Sequence, residues 1–413
     1  MQNMTIDSQS TKKHSFLLVS LIVLIIALFF SEFTTYSNYI IYPVMALWVP
    51  FIINNKSLAK QDRSFVLVSV VLLFIIVFYS MLGYSSMGRT PLLRNISWMI
   101  VGIISLYAMR YFSVFEKKVL LVVLTITIIV LLISFISLGQ SIVAFGDIED
   151  ASMTAGTWYG SMFMLLSGIS LIALLKIKAW FPRIVSLLIF LLTLYLNIAI
   201  LQRGTNVIFT VAELLLILLF SVNNKTFTGI VSVAIMVSLM VFLSSDLLVD
   251  LFDWLASVSF SQRLANRFQQ ISLALTYESI ESGGGSFEAR YELIMISWNT
   301  FTSSIGHFVF GAGEHWNTNN IIGHHSFIID TLARYGIMGG TLLYIYFKNQ
   351  YHIINSIINK KTEWALYMQC TVVFVFYILR NFYGNLSNAT VVVILFLYFP
   401  LILNVIKKNN NKH

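Results

Sequence analysis

VLLVVLTITIIVLLISFISL, residues 119–138, decides the fold. The run carries no charge, and only threonine and serine interrupt its apolar character. A helix rises about 1.5 Å per residue, so this stretch covers about 30 Å, the hydrocarbon thickness of a bilayer. Glu116, Lys117 and Lys118 end it abruptly on one side. Working outward, comparable runs occur at residues 15–31, 38–54, 64–84 and 96–112 before it. After it come 158–178, 182–201, 206–222, 227–245, 326–347, 364–384 and 389–406. The expected fold is an all-α integral membrane protein of about 12 transmembrane helices. Composition agrees: the chain is 58% hydrophobic and only 11% charged, where a soluble protein carries about 25% charged residues. The first run follows Lys12 and Lys13 without a small-residue cleavage site, so it reads as a signal anchor. The lone cysteine, Cys370, lies in an apolar run and offers neither an internal disulfide nor a metal-ligand pattern.

Orientation follows from the basic residues, which mark cytoplasmic loops. With both termini inside, the inner segments hold 18 of the 26 basic residues, including every lysine. The remaining eight are all arginine: Arg89, Arg94, Arg203, Arg263, Arg267, Arg290, Arg334 and Arg380. A guanidinium grips phosphate oxygens with two parallel donors and stays charged when buried. A pure arginine set on the outer side therefore fits either a pyrophosphate handled there or ion pairs with the outer carboxylates. The net charge of +8 arises from the inner face, which meets anionic head groups, and does not indicate nucleic acid.

One connection is long. Residues 246–325 separate spans 1–245 from spans 326–413 and form the expected external catalytic loop. DLLVDLFDWLASVSF, residues 246–260, has helical apolar spacing with aspartates opposite, as in a helix lying on a membrane surface. Gly283, Gly284 and Gly285 precede a second helix from Glu288 to about Ser303, with Ser286 as its N-cap and Arg290 in its first turn. Four outer histidines follow: His307, His315, His324 and His325. Adjacent side chains do not share a helix face, and no HExxH pattern occurs, so a base or hydrogen-bonding role suits them better than a metal site. Within span ten, Asp330 and Arg334 stand one turn apart and are expected to pair.

HSFIIDTLARYGIMGGTL, residues 325–342, resembles the signature of the O-antigen polymerase and O-antigen ligase superfamily. In that signature a His and a small polar residue are followed by nine residues and then Gly-x-x-Gly. His325, Ser326, Gly336 and Gly339 fit; His324 is out of register. EARYELIMISWNTFTSSIGHFVFGAG resembles the family's helix that opens on an arginine and runs on to Gly-x-Gly, here Arg290, Gly311 and Gly313. ILQRGTN resembles its Ser-Arg-Gly turn at Arg203, with Gln202 in place of serine. Two further departures are Arg334, where an acid is common, and the missing proline before Gly-x-Gly.

The resemblance implies a metal-independent glycosyltransferase without cofactor, in the bacterial inner membrane. It would join undecaprenyl-pyrophosphate-linked repeat units into surface polysaccharide at the outer face. It implies Arg203, Arg290 and His325 as catalytic; Arg263, Arg267 and Arg380 of the outer and buried arginine set, with His324 beside the motif, are the expected substrate-binding residues. Membrane lipids and a chain-length regulator protein are the expected partners. Ligation of the finished glycan to lipid A core is the alternative, and a flippase for lipid-linked sugars is a third reading. A flippase should show internal repeats and charges along several spans; the sequence shows no repeat, and intramembrane charge is sparse. No Walker or Rossmann glycine pattern occurs, which argues against nucleotide use; the resemblance implies that the activated donor would supply the energy.

Overall fold

The computed structural model describes residues 2–31, 37–54, 60–82, 89–145, 148–197, 204–222, 247–259, 286–313, 321–323, 326–382 and 389–410, with a few isolated positions between 262 and 272. Among them there is no strand, and a helix lies at each expected span except the ninth. That one, residues 227–245, falls outside the described residues.

The first eight helices are α1 (Gln2–Phe29), α2 (Ser37–Asn54), α3 (Lys60–Leu82), α4 (Arg89–Tyr111), α5 (Val114–Phe145), α6 (Ile148–Lys176), α7 (Trp180–Tyr195) and α8 (Gly204–Leu219). The connection after them contributes α9 (Leu247–Val258), α10 (Ser286–Thr302) and α11 (Ile305–Phe310). The chain closes with α12 (Phe327–Asn355), α13 (Trp364–Phe382), α14 (Ala389–Val393), a π-helical turn (Ile394–Tyr398) and α15 (Phe399–Asn410).

Several helices outrun their apolar windows. α12 continues through the polar KNQYHIIN segment, because a helix keeps its own backbone bonded wherever no breaker intervenes. Two helical segments are long and apolar enough to cross a membrane: Val114–Ser137 and Ala389–Lys407. Shorter apolar helices include Ser15–Phe29, Gly160–Lys176 and Val207–Leu219.

α12 is the hub of the packing: it lies against α3, α10, α11 and α13. Its Tyr346 is fully buried between the rings of Phe65 on α3 and Trp98 on α4, each 5.0 Å away. The outside of the bundle is also apolar. On α5, Leu120, Leu124, Ile128 and Leu131 face inward, while Val122, Ile126, Val130 and Ile133 are exposed. On α1, Phe16, Val19, Val23 and Ile26 form a second exposed stripe at helical spacing.

Candidate functional site

The described part of the long connection is fastened to the start of α12 at two junctions. The first is a backbone crossing. Inside α12, Gly336 has φ 62° and ψ −164°, which interrupts the helix. The carbonyls of Ala333 and Arg334, just before the break, accept hydrogen bonds from the N–H groups of Ala312 (2.8 Å) and Gly313 (3.0 Å). Gly311 and Gly313 also have positive φ, 79° and 88°. A Cβ on Gly311 would run into the Arg334 carbonyl, and one on Gly336 into the Val309 carbonyl. Only glycine combines these angles with so close an approach. Tyr79 of α3 covers the crossing, donating its hydroxyl to Phe310 O (2.6 Å) and setting its ring edge-on to Tyr335.

The second junction is built on Ser297, fully buried on α10. Its hydroxyl donates to Asp330 Oδ1 (2.6 Å) and accepts from the Gly323 N–H (2.9 Å). Asp330 Oδ2 in turn accepts from the Ser326 N–H (3.2 Å), while Ser326 Oγ accepts from the Ile329 N–H and caps α12. Asp330 Oδ1 therefore serves the joint with α10 and Oδ2 the cap of its own helix, where the spacing had suggested a pair with Arg334. One turn along, Thr300 Oγ1 donates to Ile321 O. Gly323 has no side chain because the Leu293 backbone occupies that space.

Between α10, α11 and the Gly-x-Gly turn lies a cleft of about 420 Å³. Asn299, Thr300, Ser303 and His307 give it hydrogen-bonding groups, and Ile296 and Ile321 give it apolar walls. His307 Nδ1 and Ser303 Oγ are 2.7 Å apart. Farther back, α9 buries Phe252 against Phe268, with Ile208 of α8 beside them, so the amphipathic segment is a helix docked on the bundle.

The candidate residues divide. Arg290 lies in the first turns of α10, three residues before Leu293. His324 and His325 fall outside the described residues, but Gly323 and Ser326 on either side of them both bind the Ser297–Asp330 pair. Arg203, Arg263 and Arg267 also fall outside, as do Gly283, Gly284 and Gly285. Arg380 is buried near the end of α13, 4% exposed. Arg334 is buried as well and lines a small cavity with Trp98, Phe327 and Tyr335.

No family model matches this chain, and no curated protein matches it.

Sequence reasoning missed Ser297, Thr300 and Tyr79 as positioning residues, and His307 with Ser303 as a cleft pair. A serine or threonine in the middle of a helix carries no local signature, since its partners lie 21 to 33 residues away in the chain. Asp330 carried a signal: a buried acid near a helix start, four residues after a capping serine.

Proposed function

We propose that this protein is a multi-pass membrane glycosyltransferase of about twelve spans, a polymerase that joins undecaprenyl-pyrophosphate-linked repeat units into a surface polysaccharide. The membrane part of this reading is supported by the exposed apolar stripes on α1 and α5 together with the two membrane-length segments. Apolar patches of that extent are rare on a protein facing water. Both termini would lie in the cytoplasm, and the 246–325 connection would lie outside the cell's inner membrane.

The observation that carries the catalytic part is the Ser297 junction. It joins the helix bearing Arg290 to the residues that flank His325, although some thirty residues separate them in sequence. Two segments that carry the family resemblance are thereby tied together, beside a cleft with a hydrogen-bonding lining of the kind that suits a sugar.

In the proposed reaction the acceptor hydroxyl oxygen bonds to the anomeric carbon of the donor. The anomeric C–O bond to pyrophosphate breaks, and its electron pair leaves with undecaprenyl pyrophosphate. The acceptor's proton passes to His325, a group whose ordinary pKa lies near working pH. Arg290 and Arg203 offset the charge growing on the pyrophosphate; one preorganised group of this kind contributes about 3–4 kcal/mol.

The test is the purified full chain with lipid-pyrophosphate-linked repeats, read as a ladder of polymer lengths. A ladder that disappears in Arg290→Ala supports the reading. A single transfer to lipid A core without a ladder would favour the ligase reading. Movement of intact substrate across vesicles with no new glycosidic bond would replace both with a flippase.

A further inference from the structure

A second cavity lies far from the Ser297 junction, at the other end of α12. Ser326 caps the start of α12, whereas Ile353 and Ser356 lie at its last turn and C-cap. This cavity measures about 160 Å³ and sits among the C-terminal ends of α4 and α12, the first turn of α5, and α15. Its floor is apolar, with Phe65, Leu106 and Phe396 among its walls. Its polar groups are Arg110, Lys117, Ser356 and Asn404.

Two cations line this cavity, and a third bonds to its wall. Arg110 ends α4 and Lys117 belongs to the first turn of α5. Lys407 of α15 donates to Ile357 O (3.2 Å), and Ile357 is itself part of the cavity wall. Lys117 stands near a helix N-terminus, where the macrodipole disfavours a cation. Glu116 beside it offsets part of that charge, while its carboxylate also accepts from the Ser113 N–H (2.6 Å) and closes the cap of α5. An anion held between Arg110 and Lys117 would relieve both the like-charge repulsion and the dipole mismatch. The apolar walls below would take the first part of a hydrocarbon chain. Basic pockets between membrane helices take anionic head groups in this way.

We propose that this cavity binds the phosphate of an anionic phospholipid, with Arg110 and Lys117 on the phosphate and Phe65, Leu106 and Phe396 along the chain. The inference rests on the chain meeting lipid and not on glycosyl transfer. Its readout is independent of that activity.

The experiment follows thermal unfolding of the full chain in neutral detergent. Phosphatidylglycerol, phosphatidylcholine and inorganic phosphate are titrated separately. Phosphatidylglycerol should raise Tm well above the phosphatidylcholine value, and inorganic phosphate should leave it unchanged. Lys117→Gln should raise the phosphatidylglycerol concentration for half the shift about tenfold, the scale of one lost charge-assisted hydrogen bond. Lys117→Arg should retain the shift. Lys348→Gln with Lys361→Gln removes two exposed charges outside the cavity and should also retain it. Equal loss in that control would assign the effect to diffuse surface charge and overturn the site. An equal response to both lipids, or an unchanged response of Lys117→Gln, would also overturn it. A full shift from inorganic phosphate alone would make this an ion site rather than a lipid site. Should Lys117→Gln fail to fold, phosphatidylglycerol retained by wild type and Lys117→Arg in native mass spectrometry, against release from Arg110→Gln, decides the same question.

Discussion

Ser297 contributes through two bonds at once, and its removal separates structure from chemistry. Ser297→Ala leaves a buried Gly323 N–H without its acceptor and takes one donor from Asp330. A buried polar group left unmatched costs about 1–3 kcal/mol, so Tm should fall by several degrees in a thermal melt. Ser297→Thr keeps the hydroxyl and should recover much of that loss. For the residues of the proposed chemistry the expectation is different. Arg290→Ala and Arg203→Ala should abolish glycan extension while the protein still inserts. Arg290→Lys should rescue only part, because an ammonium lacks the two-pronged geometry. His325→Ala should lose at least about 100-fold in rate as a general base, with His324→Ala mild; a dead His324→Ala beside a normal His325→Ala would mean the register was misread. These candidates could be named from sequence because the motifs that mark them are local in type and spacing. Ser297 could not be, because its role exists only once α10 and α12 meet.

At the scale of elements, the break in α12 was half legible. The spacing of Gly336 and Gly339 marked the segment, yet a single continuous helix was expected over 326–347. The second strand of the crossing, Gly311 to Gly313, was also marked, but nothing in sequence says that two glycine motifs touch. Their joint requirement gives a sharp contrast. Gly336→Ala must place a side chain at positive φ and against the Val309 carbonyl, so it should be among the most destabilising single changes in the chain, at about 2 kcal/mol or more. Gly306→Ala, in α11, meets nothing closer than Ser304 Oγ at 3.8 Å and should be neutral or stabilising by up to about 1 kcal/mol. Chemical unfolding of the two variants in parallel checks the difference. If Gly336→Ala melts like wild type, the crossing is not a constraint.

For the whole molecule, composition and apolar run lengths announced a helical architecture, and helices occur at the expected spans wherever residues are described. Which apolar residues face inward was less legible. Both faces of α5 are apolar, so Leu124 and Ile126 are indistinguishable by hydropathy although one is buried and the other exposed. Orientation is directly measurable. Cysteines introduced at Ser282 and Asn359 should react oppositely with an impermeant reagent in intact cells, Ser282 labelled and Asn359 protected. The native Cys370 is 1% exposed and should contribute little background. Labelling of Asn359 alone would invert the topology and remove the 246–325 connection from the outer face.

The crossing at Gly336 also sets a clock. Amides in an irregular turn ordinarily trade their protons with water quickly, whereas those of Ala312 and Gly313 are bonded to carbonyls inside α12. Their deuterium uptake should therefore be slow, and it should speed up only when the two halves of α12 part from the turn. Two backbone positions outside any helix thus become reporters of how often that helix opens at its break. On the proposed function, a lipid-linked sugar that engages the adjacent cleft should lengthen their exchange times before any product is made.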